Sequence, residues 1–358
     1  MNNKKIAVIC NYKLLPDRVG GMDYFFWSFD KKCKENNIDV DWFFPNKSNH
    51  GEYHNLTIYS NETHNLENNF IAILKQNQLK YTHIIMHFVE LCTPFYYKIK
   101  RLTNAKIIVV DHNSRPINGY PLKKKINKKL KGILFSRYID VFVGVSHYTV
   151  NEILRDFGKH LHSKTFAIYN GVILDSIVVK ETRATVKPSF LVASYLVKSK
   201  GIQDLIEAVN LLPNEIKNQV YIAIYGYGPY EKQLIEKIEK YSLNKCFGFM
   251  GSKPNLNEIF SQYDYMLHPT HMECFSLSIL ESLSANVPVI TTNVGGNTEV
   301  ITSGENGYIF KAKDINALAK IIEDIYLGNK KISINTRELI ANSFSLPKMV
   351  ENHFKLLK

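Results

Sequence analysis

The sequence predicts an α/β protein of two doubly wound parallel-sheet domains, Rossmann-like in build and facing across a cleft. Three observations lead there. The 358 residues exceed what one hydrophobic core usually organises, so two domains are expected. Short β-branched runs alternate with helical stretches in both halves, the pattern of a parallel sheet covered on both faces. A polar, charged stretch from about Asp175 to Lys187 separates the halves and reads as a linker.

In the first half, strands are expected near residues 4 to 11, 38 to 44, 81 to 88, 105 to 111, 140 to 145 and 165 to 170. In the second, Phe190-Leu191-Val192-Ala193, Tyr221 to Tyr225, Tyr265 to His268 and Val287 to Ile290 repeat the scheme. The expected division is 1–172 for the amino-terminal domain and 173–341 for the second domain, with 342–358 a carboxy-terminal helix returning to the first.

A 45% hydrophobic content with twelve prolines and eighteen glycines describes an ordinary globular protein. Cys10, Cys33, Cys92, Cys246 and Cys274 are scattered and form no C-x-x-C pair, so neither a disulfide framework nor a zinc site is suggested. Met1 leads through a short polar stretch into the strand-like Ile6 to Cys10, and no apolar run approaches the ~20 residues that cross a bilayer. The expected location is the cytoplasm, with peripheral contact at the inner face of the membrane left open. The net charge of +12 favours phosphates, nucleic acid or an anionic surface as partners. No helix-turn-helix, finger or aromatic-basic signature is present, so nucleic acid is not expected.

Doubly wound sheets collect ligands at the carboxyl ends of their strands. The first loop of that kind is Pro16-Asp17-Arg18-Val19-Gly20-Gly21-Met22-Asp23, whose paired glycines let a backbone approach a ligand closely or simply make a tight turn. It lacks G-x-G-x-x-G, and Gly226-Tyr227-Gly228 is followed by Pro229, so a nicotinamide enzyme is not indicated. The most informative stretch runs His268-Pro269-Thr270-His271-Met272-Glu273-Cys274-Phe275-Ser276-Leu277-Ser278-Ile279-Leu280-Glu281. A strand is expected to end near Pro269 and a helix to start near Phe275. That puts Glu273 in the loop and Glu281 about two turns into the helix, where both can line one pocket beside free helix N–H groups. Two solvated helix charges would give the same pair of letters.

Two glutamates separated by seven residues, with a proline before and Val287-Pro288-Val289 after, resemble family 4 of the retaining glycosyltransferases. The resemblance covers nearly the whole chain. Gly20-Gly21 is similar to the family's first glycine loop, His112 in Val110-Asp111-His112-Asn113 to its acceptor-domain histidine, and Tyr169-Asn170-Gly171-Val172 to its interdomain segment. Lys200-Gly201, Gly226-Tyr227-Gly228-Pro229, Gly251 and Gly295-Gly296 follow in the family's order.

The resemblance implies the GT-B fold, a nucleotide sugar as donor, UDP-linked in preference to GDP-linked, and a glycan or lipid-linked acceptor in cell-surface polysaccharide or glycoconjugate synthesis. By it, Glu281 would accept from the ribose hydroxyls, Lys200 would meet the diphosphate, Glu273 would stand beside the donor sugar, and the amides of Phe275, Ser276 and Leu277 would face sugar and phosphate. His112 would reach the sugar from the first domain, or be a packed histidine at a strand end. No cofactor and no metal are implied. Two departures stand out. Cys274-Phe275-Ser276 replaces the Gly-Phe-Gly of many members, and Tyr195 stands where the family has a diphosphate arginine. Lys198 is the nearest substitute for that charge, and equally reads as a surface lysine. A nucleotide-sugar epimerase on the same two-domain plan and a non-catalytic sugar- or membrane-binding subunit remain the alternatives.

Three further features are weighed. Asp39-Val40-Asp41 spells D-x-D but reads as strand polarity, and His268 and His271, lacking a third ligand, read as loop packing or hydrogen bonding. Lys123, Lys124, Lys125, Lys128, Lys129 and Lys131 surround Ile126, Leu130, Ile133 and Leu134 at helical spacing. Such a helix can lie on an anionic bilayer, or put its apolar face into the core and its lysines in water.

Overall fold

The computed structural model describes residues 4–16, 19–61, 65–76 and 80–358. Two compact units emerge, Met1–Ser114 with Asn118–Asn170 and Leu346–Lys358, and Arg115–Ile117 with Gly171–Ser345. In chain order the first contains β1 (Lys4–Cys10), α1 (Gly21–Glu35), β2 (Ile38–Phe43), β3 (Thr57–Tyr59), α2 (Leu66–Gln76), β4 (His83–His87), α3 (Pro94–Lys100), β5 (Lys106–Asp111), α4 (Leu122–Phe135), β6 (Val141–Gly144), α5 (His147–Phe157) and β7 (Thr165–Ala167). The second follows with β8 (Phe190–Ala193), α6 (Ile202–Asn210), α7 (Asn214–Lys217), β9 (Ile222–Tyr225), α8 (Glu231–Lys240), β10 (Phe247–Gly251), α9 (Leu256–Ile259), β11 (Tyr265–His268), α10 (Leu277–Ser284), β12 (Val289–Thr292), β13 (Gly307–Phe310), α11 (Ile315–Tyr326) and α12 (Arg337–Ser343). The last helix, α13 (Leu346–Lys355), packs on α1 in the amino-terminal unit.

The sheets run β3-β2-β1-β4-β5-β6-β7 and β10-β9-β8-β11-β12-β13. Both are parallel throughout. Helices cover both faces of such sheets, so central strands read as unbroken apolar runs. Ile6 to Cys10 and Phe190 to Ala193 are accordingly buried along their length. On α1, Phe25, Phe26 and Phe29 are sealed in, and each contributes about 1.5–3 kcal/mol through burial. The Trp42 indole donates to Asp30 Oδ1 at 2.8 Å, so its polar edge is not stranded in the core.

In both sheets the strand order reverses beside the first strand, between β1 and β4 and between β8 and β11. The loops leaving these four strands diverge there, which opens the crevice where doubly wound sheets bind ligands.

Three strands, β3, β10 and β13, add to those read from the sequence. The last strand of that reading starts later, at Val289, because Pro288 has no N–H to give a ladder. The stretch expected as a linker is bound into the carboxy-terminal unit. Lys180 donates its amide to Ala285 at 2.9 Å, Ala184 to Asp264 Oδ1 at 2.8 Å, and Lys187 to Tyr326 at 2.9 Å. Asp41 of the D-x-D triplet lies on β2, paired with Lys5 at 2.9 Å and accepting from the Tyr81 hydroxyl at 2.7 Å.

Candidate functional site

In the carboxy-terminal unit, the switch point brings the end of β8 against the end of β11. Gly201 follows Lys200 with φ +71°, and a Cβ there would lie 1.8 Å from the Pro269 carbonyl oxygen. Only glycine allows that approach. The His271 amide then donates to Ser199 at 2.7 Å, and its ring meets Asp204 Oδ2 at 2.6 Å. From β12, Thr291 Oγ1 donates to the His268 carbonyl at 2.9 Å and Thr292 Oγ1 to that of Thr270 at 2.7 Å. Asn297 Nδ2 donates to Thr291 Oγ1 at 3.0 Å. Gly295, at φ +64°, would place a Cβ 2.1 Å from the Glu273 carbonyl oxygen, and the Gly296 amide donates to Cys274 at 3.0 Å. The loop carrying Glu273 is thereby held from two sides.

Held this way, Glu273 is buried, with Oε2 accepting from Lys200 Nζ at 2.8 Å and lying 3.3 Å from His268 Nε2. Its Oε1 accepts from the Cys274 amide at 3.2 Å. Burial alone would push this carboxyl up, but the Lys200 ammonium and the His268 hydrogen bond outweigh it and hold the group down at about 2. His268 is shifted below its ordinary value, chiefly by burial.

Glu281 differs. It sits on α10, whose N-cap is Ser276, accepting from the Ile279 amide at 3.4 Å, so the helix starts two residues later than expected and Glu281 lies little more than one turn in. Its carboxylate has no hydrogen-bond or ion-pair partner among the described residues. Although part of the side chain meets solvent, desolvation around the carboxyl pushes it up to about 7. At the same helix end, the Leu277 and Ser278 amides have no intrahelical acceptors. Phe275 is buried against Phe344, with ring centroids 5.5 Å apart, and Leu277 is half-buried.

Lys198 is exposed beside Lys200, and Tyr195 is exposed edge-on to Tyr227, with centroids 5.5 Å apart. Gly20 caps α1, its amide donating to Asp23 Oδ2 at 2.9 Å, and Gly21 opens the helix. Asp17 and Arg18 of that loop lie outside the described residues. His112 follows β5, its Nε2 lying 3.0 Å from His87 Nδ1. Burial lowers its pKa to about 3, so the ring is neutral near pH 7.

On α4, Lys123, Lys124, Lys125 and Lys129 are exposed. Lys128 pairs with Asp156 at 2.9 Å and Lys131 with Glu90 at 2.6 Å, which removes these two from any free basic face. The apolar stripe lies outward, since Leu122, Ile126, Leu130, Ile133 and Leu134 are 52% to 73% exposed. Gly132 is the buried residue of this helix.

Sequence reading did not assign the Lys200–Glu273 pair, the Glu273 partner of His268, or the bonds made by Thr291, Thr292 and Asn297. Strand order joins Lys200 to Glu273 and β12 to the loop after β11, whereas His268 and Asn297 meet partners five and six residues away. Residues 175–340 match the family of glycosyl transferases group 1. This region belongs to the glycosyl transferases group 1. The chain is 25% identical over 227 residues to the N-acetyl-alpha-D-glucosaminyl L-malate synthase of Bacillus anthracis, covering 60% of the chain and 58% of that protein. It is 30% identical over 162 residues to the capsular polysaccharide biosynthesis glycosyltransferase CapM of Staphylococcus aureus, covering 42% and 40%. The chain thus spans under two thirds of the length of either relative. Anabaena HepE, solved with UDP and glucose, superposes with a TM-score of 0.75 at 16% identity over 99% of both chains. The fold is GT-B, and the group 1 region contains Lys200, Glu273 and Glu281.

Proposed function

We propose that the protein is a retaining glycosyltransferase that moves a sugar from a nucleotide sugar, in preference UDP-linked, to a hydroxyl of a glycan or lipid-linked acceptor in cell-surface polysaccharide or glycoconjugate synthesis. The observation that carries this reading is the carboxylate of Glu281, one turn beyond a helix N-terminus and without a partner among the described residues. A ribose diol offers the two donors such a carboxylate lacks. The Lys200 ammonium and the Ser276 and Leu277 amides favour the diphosphate at the same helix end. The exposed Lys198 adds positive charge near the position that Tyr195 leaves neutral.

In the transfer, the bond from the anomeric carbon to the diphosphate breaks while the acceptor oxygen bonds that carbon on the same face. The acceptor proton passes to the departing phosphate oxygen. Charge developing on the diphosphate meets Lys200 and the helix amides, already oriented before reaction. Glu273, ionised over the whole physiological range, stands by the sugar as its positive charge grows. Lys200 also holds Glu273 in place, so the two act as a unit. We assign His112 to the same reaction as the contribution of the amino-terminal unit. With the diphosphate charge met in this way, transfer is expected to continue in EDTA.

The membrane surface is proposed as a partner through α4. Its outward apolar stripe is bordered by four exposed lysines, and the sequence from Leu122 to Phe135 contains no acidic residue. Lysines at an anionic surface contribute about 1 kcal/mol each. No helix among the described residues is long and apolar enough to cross a membrane.

The test is transfer from a panel of UDP- and GDP-sugars to membrane-extracted lipid acceptors, with the product's anomeric configuration read by NMR. Acceptor-dependent release of nucleotide with retained configuration is expected. An inverted product, or free epimerised sugar with no acceptor-dependent product, contradicts the reading.

A further inference from the structure

His87 ends β4 and Phe88 is the next residue, and both touch the ring of His112. Along an extended strand successive side chains point to opposite faces, so two neighbours do not normally reach one ring. Phe88 breaks that alternation. Its φ is +57°, left-handed for a bulky residue, a conformation that costs about 1–3 kcal/mol and persists only where surrounding contacts dictate it. The turn lays the Phe88 ring flat on His112, with centroids 4.1 Å apart and planes inclined by 19°. His87 meets the edge of the same imidazole, Nδ1 to Nε2, at 3.0 Å.

His87 is itself fixed. It is buried, with Phe25 at 5.6 Å, Phe26 at 6.2 Å and His353 of α13 stacked at 5.9 Å between centroids. His353 Nδ1 lies 2.9 Å from the Met349 carbonyl, so that nitrogen carries the proton and donates. Burial drives all three histidines below their ordinary range, and neutral imidazoles can share only one proton across the contact between His87 and His112.

We propose that His87 and Phe88 are positioning residues for His112, one fixing its tautomer through the ring edge and the other fixing its plane through the ring face. The proposal rests on the reading that His112 takes part in transfer. It assigns a function to the strain at Phe88, because an unstrained Phe88 would point away from His112 and lose the stack on its ring.

The primary test is the 15N spectrum of histidine-labelled full-length protein, which distinguishes the two neutral imidazole tautomers. One tautomer at His112 is expected near pH 7.5, giving way to a mixture in His87→Phe, which keeps an aromatic ring but loses the hydrogen bond. His87→Asn, which restores a polar side chain near that nitrogen, is expected to recover part of the ordering. Phe88→Asn tolerates the left-handed backbone but removes the stack, and should broaden the His112 resonance. Hydrolysis of UDP-glucose gives the kinetic arm. His87→Phe and Phe88→Asn are expected to lower kcat by about a hundred-fold, as loss of reactive geometry does, with UDP affinity within two-fold of wild type. A mixed tautomer at His112 in the wild-type protein overturns the proposal even if no variant folds. Wild-type kcat in both variants, while His112→Ala loses it, also overturns the positioning role. Wild-type kcat in His112→Ala instead shows that the underlying assignment of His112 is wrong, while the tautomer data still report on the His87 contact.

Discussion

A carboxyl raised to about 7 by desolvation, with no donor to it among the described residues, accepts two hydroxyl hydrogen bonds best in its ionised form. If Glu281 accepts from a ribose diol, nucleotide-sugar affinity climbs as pH rises through about 7 and flattens above it, with protons released on binding below that point. Calorimetry in buffers of different ionisation enthalpy checks this, and Glu281→Gln is expected to flatten the profile. In the unliganded protein the sign reverses. A carboxyl raised from its ordinary 4.5 makes the fold less stable as pH climbs between those two values. Gly295 tests the loop that holds Glu273. Gly295→Ala brings a Cβ to 2.1 Å from a backbone oxygen at a left-handed φ, so a loss of about 1–3 kcal/mol in chemical denaturation and a drop in turnover are expected. The two glutamates were legible in the sequence because their spacing is local. The Lys200 partner of Glu273 was not, since 73 residues separate them and strand order alone joins them.

At the scale of elements, what the sequence hid was mostly at edges. The unread strands β3, β10 and β13 all lie at the edge of a sheet. Edge strands need no unbroken apolar run, and Phe247-Gly248-Phe249-Met250-Gly251 is interrupted by glycines and partly exposed. The helix α4 was legible as a helix, but periodicity cannot say whether a stripe faces core or solvent. It faces solvent. Changing Ile126 and Leu130 to serine should therefore leave the melting temperature unchanged, where a core-facing pair would lose about 2–5 kcal/mol per truncated residue. The same variant, and separately glutamine at Lys123, Lys124, Lys125 and Lys129, should reduce salt-sensitive sedimentation with vesicles containing acidic lipid. Equal, negligible sedimentation of wild type with acidic and neutral vesicles at low salt contradicts the membrane proposal.

For the whole molecule, the two units answer acid differently. His83, His87, His112 and His353 in the amino-terminal unit are all held below their ordinary 6.5 with burial as the first cause, while His268 is the corresponding group in the carboxy-terminal unit. A histidine kept neutral in the fold charges more readily once unfolded, so its contribution is complete above 6.5 and is lost as pH falls toward about 4. Hydrogen exchange between pH 7 and pH 4.5, corrected for intrinsic rates, is expected to show the amino-terminal unit opening first. Uniform loss of protection in both units would contradict that distribution. The GT-B plan itself was legible because both halves repeat one alternation, and the donor reading concentrates in the carboxy-terminal half. That concentration makes one measurement the most direct, calorimetric titration of a panel of UDP- and GDP-sugars into the full chain and into Glu281→Ala. The account predicts that at least one nucleotide sugar binds the wild type and that the variant binds it about ten-fold to a hundred-fold more weakly, as loss of a hydrogen bond to a charged group implies. Equal affinity in both proteins, or no binding by any member of the panel, would contradict it.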